Sequence, residues 1–128
     1  MNRSTSRDST LIVGTCAVAF AILGAGCKVQ SYKGQQIRSH ESLFQQICAD
    51  KGGYVQVNID GCTVPGFPFY GEFIVENVGG YHEAKTLRDG QQIRFDRKLN
   101  AGECGAVNIV NMDDGAAVSC NFHVYWDL

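Results

Sequence analysis

The sequence predicts an α+β fold, with one N-terminal helix packed on a small antiparallel β-sheet of five to seven strands and stapled by disulfides. Three observations predict it. Short runs of alternating apolar and polar residues recur between glycine turns, one earlier stretch carries apolar residues at helical spacing, and four cysteines, Cys48, Cys62, Cys104 and Cys120, are spread through the C-terminal part.

Residues 28–40 are polar and show little periodicity, so they are expected as an extended or flexible tether. The helix is expected next, over residues 42–51. Ser42 with Gln45 three positions on fits a capping box, Leu43, Phe44, Ile47 and Cys48 share one helical face, and Gly52 and Gly53 stop it. Residues 54–59 then alternate, which places Val55, Val57 and Ile59 inward, and Asp60 with Gly61 turns the chain into a short strand at 62–64. Further strands are expected over 72–78, ended by Gly79 and Gly80, and over 81–87, turning at Asp89 and Gly90 into 91–95. Residues 106–112 and 116–126 flank Asp113, Asp114 and Gly115 as a hairpin, with Val118, Cys120, Phe122, Val124 and Trp126 on the buried parity.

The N-terminus carries a different signal. Arg3 and Arg7 precede an uncharged apolar run over residues 11–23, followed by Gly24, Ala25, Gly26 and Cys27, which are the parts of a secretory signal peptide. The small residues closing on a cysteine resemble the lipobox of the bacterial lipoprotein family, over residues 1–27 only. The resemblance implies cleavage before Cys27, a lipidated (palmitate-type) Cys27 as the first mature residue, and a membrane anchor. It also implies outer-membrane sorting, since Lys28 and not an aspartate follows the cysteine. Ordinary cleavage after Ala25 or Gly26, and retention of the apolar run as an uncleaved anchor, are the alternatives. The chain thus divides into a signal peptide at 1–26, a lipid-anchored cysteine with a basic tether at 27–40, and a globular domain at 41–128.

Cysteine arithmetic agrees with export. With Cys16 removed in the signal and Cys27 at the anchor, four cysteines of the six remain, an even set suited to two disulfides in an oxidising compartment. Three connectivities are open, and proximity in sequence favours Cys48 with Cys62 and Cys104 with Cys120. Their spacing does not suit zinc. The tether holds Lys28, Lys33 and Arg38 with no acid, which suits anionic headgroups, while residues 41–128 hold six basic against twelve acidic residues. That acidic balance argues against nucleic acid as a partner.

No nucleophile, phosphate-loop or metalloprotease signature occurs, His40, His82 and His123 are scattered, and no cofactor or metal is implied. The segment 64–73 stands out because it contains both prolines, Pro65 and Pro68, and four aromatics, Phe67, Phe69, Tyr70 and Phe73. Those four rings are the candidate partner-binding residues of a stiffened loop, the alternative being that they fold over the open end of the sheet and complete a small core. The expected function is a non-enzymatic envelope lipoprotein: a membrane-tethered protein-binding domain serving as accessory subunit, inhibitor or exclusion factor. It would face the periplasm or the cell surface. The alternative is a small periplasmic enzyme on wall or glycan substrates, with Glu72 and Glu76 as its carboxylates.

Overall fold

The computed structural model describes residues 12–15, 27–76 and 80–128, and among these every regular element is a strand. In chain order they are β1 (Ile12–Thr15), β2 (Lys28–Ile37), β3 (Ser42–Cys48), β4 (Gly52–Gly53), β5 (Gln56–Asp60), β6 (Pro68–Val75), β7 (Tyr81–Arg88), β8 (Gln92–Arg94), β9 (Leu99–Asn100), β10 (Cys104–Val110) and β11 (Val118–Trp126). The α+β expectation is therefore corrected to all-β. One sheet has the order β1-β2-β11-β5-β8, a second has β3-β10-β6-β7, and β4 with β9 forms a small third ladder; every pairing is antiparallel. The first long strand lies beside the last, and the second beside the second-to-last. This nested winding, β2-β11-β5-β8 over β3-β10-β6-β7, is a jelly roll.

The expected helix at 42–51 is strand β3 because its residues obey period 2 as well as period 3.6. Leu43 and Ile47 point inward and are buried, while Phe44, of the opposite parity, is 57% exposed. A helix would have buried all three on one face. The ladder also sets Cys48 directly opposite Cys104, and the two are disulfide-bonded. Residues 28–37, read as a tether, form β2, which is hydrogen-bonded to β11 along its length, with a register shift between Cys120 and Phe122. Gly34, at φ +63°, sits at that irregularity and donates its N–H to the Asn121 side chain (2.9 Å).

Two expected hairpins are instead crossings between sheets. Residues 104–110 and 118–126 are strands, but β10 belongs to the second sheet and β11 to the first. Asn111 steers the crossing: it is fully buried and donates from its amide to the carbonyls of Ile37 (3.0 Å) and Ala116 (2.7 Å). Asp113 completes the turn by accepting the N–H groups of Gly115 (2.9 Å) and Ala116 (2.7 Å). The chain likewise leaves β7 through Asp89 and Gly90 and enters β8 in the other sheet. Residues 62–64 form no strand; Cys62 is tied to Cys120 there. The expected end of a strand at residue 78, and the signal-peptide reading of residues 1–26 beyond strand β1, lie outside the described residues.

The core fills the space between the two sheets. From the first come Val57, Ile59, Val118, Cys120, Phe122 and Val124, and from the second Leu43, Ile47, Phe69, Phe73, Val107 and Ile109. Phe69 meets Phe122 edge-on across the gap, with centroids 5.4 Å apart. Tyr32 bridges the layers near β3, its hydroxyl donating to Gln45, and burial pushes its pKa up to about 12.

Candidate functional site

Alternation along β6 decides the fate of the aromatic segment. Phe69, Gly71, Phe73 and Val75 face the core, whereas Pro68, Tyr70, Glu72 and Ile74 face outward. Phe69 and Phe73 are at most 1% exposed, and Phe67, just before the strand, is buried against Phe69 at 5.0 Å between centroids. The four-ring recognition loop is therefore corrected: three rings are core, and Tyr70 alone, 38% exposed, faces solvent. Pro68 does not interrupt the strand. It is the first residue of β6, where a missing N–H is tolerated.

Tyr70 belongs to a wider surface, the outer face of the second sheet. Register aligns Phe44, Asn108, Glu72 and Ala84 in one row across β3, β10, β6 and β7, and Ser42, Val110, Tyr70 and Thr86 in the next. Phe44 and Tyr70 thus stand one row and two strands apart, about 12 Å between their Cα atoms from ordinary sheet spacings. Met112, of the same parity as Asn108 and Val110 and 57% exposed, follows at the end of β10. Gly71 lies behind the sheet in this region, where any Cβ would collide with the Leu87 side chain.

At the centre is a polar cluster. The Glu72 carboxylate bonds to His82 Nε2 at 2.6 Å, diagonally across the β6–β7 ladder, and accepts the Asn108 amide at 3.4 Å. These contacts, the His82 hydrogen bond first, hold the Glu72 carboxyl below its ordinary range against an opposing effect of burial. A carboxylate kept ionised is a fixed acceptor on a sheet bordered by two aromatic rings. Glu76 lies past the end of β6, so the two glutamates do not converge. His40 and His123 lie elsewhere, beside Asp114 (2.8 Å) and Asp60 (3.4 Å) respectively. Among the described residues no three His, Cys, Asp or Glu side chains gather as a metal site.

The cysteines are placed as follows. Cys48 bonds Cys104 and Cys62 bonds Cys120, so the four expected cysteines do form two disulfides, but with the pairing corrected. Cys27, the candidate lipidation residue, is buried at the start of β2 and disulfide-bonded, its partner lying outside the described residues. Sequence reasoning missed Phe44, Asn108 and His82 as site residues. The one signal for Phe44, a parity opposite to that of Leu43 and Ile47, counts only once the segment is known to be a strand.

No family model matches the chain, and no curated protein matches it in sequence. Among solved structures it is similar to peruvianin-I, a cysteine peptidase from Thevetia peruviana latex, at 15% identity and a TM-score of 0.46, covering 98% of this chain and 66% of that one, just under two thirds. It is similar to the Drosophila melanogaster CENP-C cupin domain at 15% identity and TM-score 0.34, covering 96% and 82% of the two chains. A carbohydrate-binding module of Cellvibrio mixtus lichenase 5A, solved with cellotriose, is 14% identical at TM-score 0.38, covering 94% and 92%.

Proposed function

We propose that this chain is an exported, membrane-tethered, non-enzymatic domain of the bacterial envelope that docks a protein partner on the outer face of the β3-β10-β6-β7 sheet. One observation carries the reading: Phe44 and Tyr70 stand exposed on either side of the Glu72, His82 and Asn108 cluster. Rigid aromatic anchors around a polar acceptor are what a protein interface uses, apolar area at the rings and hydrogen bonds between them. The partner surface that fits presents amide, hydroxyl or cationic donors to Glu72 among apolar side chains. Two disulfides that join distant parts of the chain suit an oxidising compartment. The lipobox-like sequence before Cys27 supplies the tether, and Lys28 favours the outer membrane.

The test places a photo-crosslinking residue at Phe44, at Tyr70 and, as control, at His123 on the outer face of the other sheet, in cells of the native envelope. Expected is one discrete crosslinked protein from positions 44 and 70 and none from 123. Replacing Phe44 and Tyr70 with Ser should abolish binding of that protein while changing stability by no more than about 0.5 kcal/mol per site, the usual range for surface positions. Crosslinking from 123 alone, or binding that survives the double substitution, overturns the assignment of this face.

A further inference from the structure

The end of the sandwich at which β2 begins, after Cys27, carries a second site. Lys28 lies opposite Trp126 on β11, and the loops around β4 and β9 close the same end. At this ladder lies a cavity of about 260 Å³ walled by Lys51, Gly52, Tyr54, Lys98, Asn100 and Leu128. Its glycines are required. Gly52 and Gly53 have φ of +95° and +154°, and a Cβ on either would strike backbone, of Leu99 and of Leu128 respectively.

Lys51 and Lys98 line the cavity, and Arg94 borders it through the Tyr54 ring. The Arg94 guanidinium lies 4.9 Å and the Lys98 ammonium 5.8 Å from the centre of the Tyr54 ring. The neighbouring carboxylates are engaged elsewhere. Asp50 pairs with Lys28, Glu103 with Arg97 (3.1 Å), and the buried Asp127 accepts the N–H groups of Asp50 (3.0 Å) and Gly52 (3.2 Å). Among the described residues no carboxylate lies within ion-pair distance of Arg94 or Lys98. The β4–β9 end also carries acids, Glu83 and Asp96 sharing Lys85 (3.4 Å each), but the far end is the more acidic: among the described residues Glu41, Asp60, Asp89, Asp113 and Asp114 gather there with Arg38 and Arg88.

We propose that this cavity takes the phosphate of an anionic lipid headgroup, so that the domain stands on the membrane on its β4–β9 end. The inference rests on the membrane-tether reading above and adds the orientation and the ligand. Lys98 on the cavity wall and Arg94 beside it on the Tyr54 ring supply donors to one phosphate, and Tyr54 offers an amphipathic ring at headgroup depth. The acidic far end is repelled by the same surface, which reinforces the orientation. The basic residues named at the sequence level are not the ones that act: β2 carries Lys33 and Arg38 away from the Lys28 end along a ten-residue strand.

The experiment uses the full chain with vesicles of phosphatidylcholine alone and of phosphatidylcholine with one-third phosphatidylglycerol. Wild type is expected on both, more strongly on the anionic vesicles. Arg94→Gln with Lys98→Gln should weaken binding to anionic vesicles roughly 25-fold and leave neutral vesicles unaffected. Arg38→Gln with Arg88→Gln, which removes the same charge from the far end, should change it less than about twofold. Equal weakening by both pairs, or no anionic preference in wild type, overturns the headgroup site and leaves the tether standing. Binding to neither vesicle overturns the tether reading itself. Inorganic phosphate that shifts the Tyr54 ring resonances in a protein showing no anionic preference assigns the cavity to a soluble phosphate and overturns the lipid source.

Discussion

Glu72 shows how one side chain reports on its surroundings. It sits at the centre of the exposed sheet face, and its carboxyl is held below the ordinary value of 4.5 chiefly by the hydrogen bond with His82. A carboxyl whose folded pKa is depressed contributes stability that is complete above its unfolded value and is lost as pH falls through the folded value. For Glu72 that window runs from the region of 4.5 downward. Replacing His82 with Ala should raise the Glu72 midpoint toward 4.5 in a carboxyl carbon NMR titration. The stability difference between the two proteins should disappear once both forms of Glu72 are protonated. His82→Gln, which keeps a donor near Nε2, should restore most of the depression. An unchanged midpoint in His82→Ala would show that Asn108 and the sheet surface set it instead.

At the scale of elements, the two disulfides decide how the strands are held. Cys48–Cys104 clamps β3 to β10 and Cys62–Cys120 ties the loop before β6 to β11, with sequence separations of 56 and 58. On the chain-entropy model a loop of that length contributes about 4 kcal/mol, less for the second bridge because the two loops interleave. Replacing Cys48 and Cys104 together with Ala should lower the urea-unfolding free energy by about 2–5 kcal/mol, and a non-reducing peptide map should return 48 linked to 104 and 62 linked to 120. A 48–62 peptide would overturn this winding of the chain. The same elements show what the sequence carried. Period 2 at Val55, Val57 and Ile59 and from Val118 to Trp126 revealed which side chains face inward, and the glycine turns revealed where the chain reverses. Neither says which sheet the returning strand joins. That choice is made by distant partners: Asn111 against Ile37, Phe69 against Phe122, Cys62 against Cys120. The seven residues of β3 are too few to separate period 2 from period 3.6. Apart from Tyr70, the candidate site stayed hidden because its members, Phe44, Tyr70, Asn108 and His82, come from four strands and meet only through the register.

For the whole molecule, the position of Cys27 sets the polarity of everything else. Strand β2 begins at the end that carries Arg94, Lys98 and Tyr54, while the acidic turns gather at the other end. A thiol has one fate at a time: a Cys27 joined to an acyl glyceride cannot also stand in the disulfide in which it is found here. Lipidation would therefore require loss of that bridge, which cleavage just before Cys27 accomplishes if the partner is the upstream Cys16, the only cysteine beyond the two bridged pairs. The same cleavage removes β1, an edge strand paired with β2, while both remaining bridges and the core between the two sheets lie downstream of Cys27. Wild-type protein from a bacterial envelope should partition into detergent, with an acyl mass on the N-terminal peptide that begins at Cys27. Cys27→Ser should move it to the aqueous phase with the 48–104 and 62–120 bridges intact. Retention of Cys27→Ser in the membrane would make the apolar run at residues 11–23 the anchor. A wild-type peptide joining Cys27 to Cys16 would fix the unprocessed chain as the working form and overturn the lipid tether.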